Sequence, residues 1–195
     1  SYAFQYSALR KRPSQNIFPQ WGYSLVASYA ASPFNAEAGE ILMTGFTGYV
    51  PGLFRHDGFR VMAQYQDKMG DAGFYSNRVG PARGYSGMVY DDLLTLRADY
   101  KVPVVYPDWN ISSLIYMKRI VVGLFFDCSI LTDVKPQKAY HGTNSYWSSG
   151  IDLTTDVHFL RSKFPFEIGL RSTYVDGYLK NQRGVYFQFL WGVSI

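Results

Sequence analysis

The feature that most constrains this chain is a strict alternation of apolar and polar residues over long stretches. In segment 94–102, Leu, Leu, Ala, Tyr and Val at even positions alternate with Thr, Arg, Asp and Lys at odd positions. A period of two is typical of a β-strand with one apolar face. The same period recurs in further segments: 21–29, 59–66, 147–159, 164–171 and 185–195, and more weakly 2–10, 39–50 and 118–130. Since no stretch shows a helical period, the sequence predicts an all-β fold of about nine antiparallel strands.

The length of these segments favours strands that cross a bilayer. Strands of globular proteins average about 5–6 residues, whereas a tilted membrane-spanning strand needs about 9–11. The polar faces carry charges in mid-strand, such as Arg60, Arg97 and Asp152, which a wet lumen tolerates. The longest apolar run, 120–126, is far shorter than the roughly 20 residues of a spanning helix. We therefore predict an antiparallel transmembrane β-barrel in a bacterial outer membrane; the alternative is a soluble β-sandwich or jelly roll.

Composition and spacing argue against several functional classes. Disorder is excluded because aromatic residues make up 18% of the chain. The 19 basic residues are scattered, so no nucleic-acid partner is expected. The three histidines are far apart and Cys128 is the lone cysteine, which predicts neither a metal site nor a cofactor. A hydrolase built on His158 with Asp152 and Asp156 would lack a nucleophile elbow, so we expect no catalytic residues and no enzyme.

The strand count leaves two interpretations open. Single-chain bacterial barrels have an even number of strands, and about nine is odd. Either segment 2–10 does not span and eight strands close a ring, or the chain is the C-terminal portion of a larger barrel. The chain begins at Ser1 without methionine or signal segment, which suggests a processed chain or an excerpt.

Segment 81–85, Pro-Ala-Arg-Gly-Tyr, lies in the longest predicted loop, 68–92. It resembles the Arg-Gly-(Phe/Tyr) signature of the BamA-type outer-membrane family, the bacterial surface antigens that include TamA and two-partner secretion transporters. The resemblance implies that the loop folds back into the barrel lumen. It also implies that the arginine of the motif, Arg83, pairs with acidic residues on the following strands.

Both of those strands have counterparts in the chain. Segment 96–103 is similar to the next family strand, with Asp99 at its inward acidic position. Segment 119–127 resembles the strand after it, which ends in an aromatic residue and Asp127. Independently, the alternation points Arg97, Asp99 and Asp127 to one face. We therefore predict that Arg83 contacts Asp127, Asp99 or both.

The remaining residues of the motif have narrower expected roles. Gly84 is expected because the backbone must approach the barrel wall closely where the loop turns. Tyr85 is either an aromatic plug of the lumen or a residue that packs within the loop.

The C-terminal segment 187–195 resembles the closing strand of the family, which carries the signal for insertion. The signal residues would be the following: Phe187, Phe189, Trp191, Gly192 and Ile195. Ile195 departs from the family, where an aromatic residue is usual. Five predicted strands follow the signature loop, as in a sixteen-stranded member. Segments 17–22 and 106–109 also resemble outer-membrane proteins that carry a TolB-like propeller before such a barrel.

The resemblance implies a non-enzymatic role in inserting or translocating proteins at the outer membrane. The implied partners are outer-membrane lipid, other outer-membrane or periplasmic proteins, and the remaining barrel strands on an N-terminal portion. Two alternatives remain open: a structural or anchoring barrel of an outer-membrane complex, and a small closed eight-stranded pore. The pairing partner of the last strand should distinguish the closed pore from a partial barrel. Pairing with the strand near Trp21 would indicate the closed pore, and a missing partner would indicate a partial barrel.

Overall fold

The computed structural model describes residues 1–10, 16–31, 39–54, 56–70, 75–85, 90–111, 115–131, 145–159, 166–176 and 183–193. These residues form ten strands: β1 (Tyr2–Leu9), β2 (Gly22–Ala31), β3 (Glu40–Pro51), β4 (Gly58–Met69), β5 (Leu93–Val105), β6 (Trp109–Ile111), β7 (Ile115–Ile130), β8 (Ser145–Phe159), β9 (Phe166–Val175) and β10 (Gly184–Val193). All ten belong to one antiparallel sheet. The predicted all-β antiparallel fold is confirmed, since the described ranges contain no helix. In those ranges no helix is long and apolar enough to cross a membrane.

Nine of the strands follow one another in chain order across the sheet, and they correspond to the nine predicted segments. The tenth, β6, is three residues long and pairs only with β7. The sequence did not predict it. The connection predicted as 68–92 is shorter than expected, because Lys68 and Met69 still belong to β4. Ile195 lies outside the described residues.

The alternation places apolar side chains on an exposed face along the whole sheet. Eight neighbouring strands each carry at least one exposed apolar residue on this outward face: Leu25, Phe46, Val61, Leu96, Phe126, Leu153, Leu170 and Phe189. The opposite, inward face carries buried polar residues such as Thr95, Asp127 and Thr154. Trp21 is 56% exposed and Phe189 is 62% exposed, so the apolar sides do not meet in a dry interior.

Two ends of the sheet follow from the antiparallel order. Strands β1, β3, β5 and β8 finish at one end, which we call the turn end. Strands β2, β4, β7 and β9 finish at the other, the loop end, where the connection containing Arg83 leaves β4 and enters β5. The C-terminal strand β10 runs toward the turn end.

The sheet wraps around the chain segment 75–85, which lies on its inward face. Arg78 Nη1 donates to Ser28 Oγ of β2 at 2.9 Å, while Gly84 lies against Val175 of β9. Six strand spacings separate β2 from β9, or about 29 Å on a flat sheet. The seven residues from 78 to 84 include a turn and are too short to span that distance. The inward face is therefore concave.

Within the described residues the sheet does not close on itself. β10 pairs with β9, β1 pairs with β2 over the whole length of β1, and no ladder joins β1 to β10. Both edge strands keep the alternation, with Phe4 and Phe187 on the outward face. The outward apolar surface therefore extends to both edges of the sheet.

Candidate functional site

The segment that carries the predicted signature makes a tight turn on the concave face. The Tyr85 N–H donates to the carbonyl oxygen of Ala82 at 3.2 Å, and Gly84 at the third position has a φ of 90°. A positive φ at this position is readily adopted by glycine. A Cβ on Gly84 would lie 2.6 Å from Cγ2 of Val175. The backbone at Gly84 thus approaches the sheet closely, as expected, and the strand it approaches is β9.

Polar side chains of β5 and β7 hold the backbone just before this turn. Ser129 Oγ accepts a hydrogen bond from the Ala82 N–H at 2.9 Å. Thr95 Oγ1 donates to the carbonyl oxygen of Gly80 at 3.1 Å, and Arg97 Nη2 donates to the same oxygen at 2.9 Å. Because buried backbone groups need partners, these side chains fix the height of the segment along the two strands.

Arg83 lies between two buried carboxylates. Its Nε donates to Asp127 Oδ2 and its Nη2 to Asp127 Oδ1, both at 2.7 Å, and its backbone N–H donates to Asp127 Oδ2 at 2.9 Å. The same Nη2 lies 2.7 Å from Asp99 Oδ1. Asp127 is fully buried and Asp99 is 3% exposed. Both predicted contacts of Arg83 are present. We call Arg83, Asp99 and Asp127 the arginine clamp.

The geometry of the clamp explains the residue types. A guanidinium presents its donors as a planar fork, so it can hold one carboxylate through two bonds and reach a second. Burial lowers the pKa of the Arg83 guanidinium, but the hydrogen bonds and charges of Asp127 and Asp99 outweigh this and leave its pKa above the ordinary value. Arg83 is therefore charged under all ordinary conditions.

A second arginine from the strand wall shares the clamp. Arg60 of β4 lies directly opposite Asp99 in the ladder. Its Nη2 and Nε donate to Asp99 Oδ2 at 2.8 and 3.1 Å. Asp99 thus binds Arg60 through one oxygen and Arg83 through the other. The alternation indicates only that Arg60 is a charge on the polar face, and it does not predict this pairing.

The aromatic ring of Phe125 packs against the guanidinium group of the clamp. The guanidinium carbon of Arg83 lies 3.9 Å from the centroid of the Phe125 ring, and that of Arg171 lies 5.2 Å away. Phe125 is buried and packs on Gly150 of β8, where a Cβ would lie 2.6 Å from the ring. A cation over an aromatic face gains about 0.5–2 kcal/mol. Phe125 was not predicted as a site residue. The signal that could have identified it is an aromatic side chain that shares the inward face of its strand with polar residues such as Asp127 and Ser129.

Tyr85 packs in a buried cluster at the loop end. Its ring contacts that of Tyr146 edge-on, at 4.5 Å between centroids, and its hydroxyl donates to the carbonyl oxygen of Trp147 at 3.2 Å. The Tyr90 ring also stacks on that of Tyr146, with 6.3 Å between the ring centroids. Val79, Ala82, Leu93 and Val175 belong to the same hydrophobic core. Tyr85 therefore joins the turn to β8, and its neighbours come from both the loop and the wall.

The part of the segment closest to β4 is fastened by two long polar side chains. Gln66 Oε1 accepts hydrogen bonds from the N–H groups of Arg78 and Val79 at 2.6 and 3.0 Å. Lys68 Nζ donates to the carbonyl oxygen of Tyr75 at 2.8 Å and to Asn77 Oδ1 at 2.9 Å. Neither Gln66 nor Lys68 was predicted as a site residue, and both lie on the inward face of β4.

Ion pairs continue along the concave face toward the turn end. Two of them join neighbouring strands, Asp152 with Arg171 and Asp156 with Arg119. The third crosses the concave face, from Lys101 of β5 to Glu167 of β9. The two aspartates near His158 are thus bound to arginines, and the His158 ring lies 5.9 Å from the Tyr116 ring. In the described residues, no group of three or more His, Cys, Asp and Glu side chains could hold a metal ion.

The closing-strand residues lie on β10. Phe187, Phe189 and Trp191 point outward and are exposed, and the Trp191 ring lies 5.8 Å from that of Phe166. Gly192 pairs with Glu167 of β9, and a Cβ built on it would meet no atom within 4 Å. These residues do not touch the arginine clamp, so the predicted site residues fall into two separate regions.

Comparison with protein-family models, with curated proteins and with solved structures finds no match for this chain. The resemblance to the BamA-type family therefore rests on the residues of the signature and of the strands that follow it.

Proposed function

We propose that this chain forms part of a transmembrane β-barrel of a bacterial outer membrane, of the BamA type, that takes part in inserting or translocating proteins. The arginine clamp is the observation that carries the proposal. An arginine at the tip of a segment on the concave face binds acidic residues of the next two long strands, as the resemblance implied.

The distribution of polarity supports a bilayer environment for the outward face. Exposed apolar side chains such as Leu170, 58% exposed, and Phe126 cover one side of every central strand. Charged side chains occupy the other side and are paired there. A lipid-facing apolar band with a polar lumen is the pattern of outer-membrane barrels.

The clamp gives the wall a rigid region between two edges. The segment around Arg83 is bonded to β4, β5, β7 and β8, so these strands are held by side chains as well as by their ladders. The outer edges of β1 and β10 have no described partner. Since unpaired backbone groups in hydrocarbon are costly, each edge needs a strand, from an N-terminal portion or from a client.

A structural or anchoring barrel is the second candidate function. It is favoured by the amount of chain on the concave face, where Val79, Ala82 and Tyr85 pack as a buried core and narrow the lumen. A small closed eight-stranded pore has less support. It would need β2 to pair with β10, but the available edge of β2 is bonded to β1 through eight residue pairs.

The membrane assignment can be tested by placing one charge on each face. Leu170→Arg would put a guanidinium on the outward face, and Gln64→Arg would put one on the inward face opposite Thr95. An arginine on the lipid face near the bilayer midplane costs about 2–4 kcal/mol. We expect the full-length Leu170→Arg variant to fold into lipid vesicles at a much lower yield than Gln64→Arg, as measured by the folded band on unheated gels. Equal yields would refute the bilayer proposal.

The insertion role can be tested in vesicles that contain the full-length protein. We expect these vesicles to accelerate the folding of a small outer-membrane barrel compared with protein-free vesicles. Arg83→Met should reduce the acceleration, whereas Arg78→Met, a change at an exposed arginine in the same segment, should not. If the protein assembles in the vesicles but leaves the folding rate unchanged, the anchoring function is the correct one.

A further inference from the structure

A second chain segment, residues 16–18, enters the concave face from the turn end. Asn16, Ile17 and Phe18 are all buried, although they belong to the connection between β1 and β2. The Ile17 N–H donates to the carbonyl oxygen of His56 at 3.4 Å, and Asn16 Oδ1 lies 2.8 Å from His56 Nδ1. We call residues 16–18 the entry segment. It is held by the connection between β3 and β4.

Phe18 brings the entry segment into contact with Arg60. The guanidinium carbon of Arg60 lies 5.1 Å from the centroid of the Phe18 ring. The Phe18 ring also lies 5.9 Å from that of Tyr49, the ladder partner of Arg60, and Ile17 and Val121 belong to the same cluster. A guanidinium this close to an aromatic face is attracted to it and is restricted in its orientation.

Arg60 in turn holds the carboxylate that the arginine clamp uses. Its two hydrogen bonds end on Asp99 Oδ2, and Arg83 occupies Asp99 Oδ1. One buried carboxylate thus receives an arginine that contacts the turn-end segment and an arginine from the loop-end segment. If Arg60 loses its support, Asp99 loses the bonds that fix its orientation toward Arg83.

We propose that Arg60 is a positioning residue that couples the entry segment to the arginine clamp through Asp99. Displacing the entry segment at the turn end then loosens the segment around Arg83 at the loop end. This coupling does not depend on the insertion role, because it concerns only how two segments on one concave face stabilise each other. An arginine suits position 60 because two of its donors, Nε and Nη2, converge on the one oxygen of Asp99 that Arg83 does not occupy.

Hydrogen exchange of the backbone amides in segment 75–85 provides the test. These amides include the N–H groups of Ala82 and Arg83, which are bonded to wall side chains. In the full-length protein in lipid, Phe18→Ala should accelerate their exchange at least about fivefold, as expected for groups in one ion-pair network. In an Arg60→Met background, the same Phe18→Ala change should have less than about half of that effect, since the connection is already broken.

Phe54→Ala is the matched control, because Phe54 is an exposed aromatic residue at the same end, 72% exposed. It should leave exchange in segment 75–85 unchanged. Phe18→Leu, which keeps an apolar side chain but removes the aromatic face, should give an intermediate acceleration and serves if Phe18→Ala does not fold. Unchanged exchange in both Phe18 variants, or an equal effect with and without Arg60, would overturn the coupling. Either result would leave the proposed function unaffected.

Discussion

Replacing Arg83 by methionine removes the charge of the clamp while keeping a long side chain in its place. Asp127 would lose the hydrogen bonds from Nε and Nη2 but would keep the bond from the backbone N–H of residue 83. Asp99 would keep both bonds from Arg60. Asp127 is therefore the residue on which the change acts, because it is fully buried and its next cation, Arg97, lies 4.0 Å away.

The expected magnitude follows from this unequal loss. Removing one partner of a buried ion pair destabilises proteins by about 3–5 kcal/mol, because it leaves an uncompensated charge. The remaining backbone bond and the nearby arginine put Arg83→Met near the lower end, at about 3 kcal/mol. Arg83→Lys should fall between the wild type and methionine, since an ammonium keeps the charge but lacks the planar fork that reaches both carboxylates.

The assay is reversible urea unfolding of the full-length protein in lipid vesicles, followed by tryptophan fluorescence. Arg78→Met is the control. Arg78 is exposed and its side chain donates to Ser28, so its removal should cost less than about 1 kcal/mol. Adding Asp127→Asn to Arg83→Met should recover part of the loss, because it removes the buried charge. The clamp does not stabilise the fold if Arg83→Met loses no more free energy of unfolding than the control does. The same conclusion follows if the loss in the double variant equals the sum of the losses in the two single variants.

Three further predictions concern the same segment. Gly84→Ala should destabilise the protein by about 1–3 kcal/mol, measured from the urea midpoint, because residue 84 has a positive φ and a Cβ there would meet Val175. Gly192→Ala is its control: a Cβ at position 192 meets no atom, so its stability should stay within about 0.5 kcal/mol of the wild type. Tyr85→Phe should cost about 0.5–1.5 kcal/mol in the same assay, since it removes the bond to the Trp147 carbonyl. The contribution of Arg83 should be the same at about pH 7 and pH 10, because a raised pKa gives stability that is lost only above the ordinary arginine range. A loss of stability at about pH 10 in pH-resolved unfolding would contradict this.

The sequence predicted the faces of the strands because a period of two needs no knowledge of the neighbours. Asp99 and Asp127 lie on the inward face and Leu96 and Phe126 on the outward face, as the alternation indicated. The contact of Arg83 with the two aspartates came from the resemblance, and the structure contains it. The function and the location remain predictions.

What the sequence did not predict depends on register. Arg60 meets Asp99 because β4 and β5 are aligned so that these two residues are directly opposite, and alternation specifies a face but not a level. Phe125 lies under Arg83 because β8 places Gly150 beside it, which again requires the alignment of two strands. The burial of the entry segment could not be predicted for a different reason. Phe18 lies in a connection without periodicity, and burial there is decided by tertiary contacts alone.

Register also links the clamp to the outward face. If β7 slipped by one residue against β5, Asp127 would exchange faces with Phe126 and would leave Arg83 for the apolar surface. The same slip would bury Phe126 among charged side chains. A register that satisfies Arg83 is thus the register that keeps charges off the outward face. The buried carboxylates need not add net stability to be retained, because they penalise the wrong alignment of long strands whose backbone ladders are similar in every register. On this view, a variant that loses the clamp should show alternative strand pairings before it shows complete unfolding.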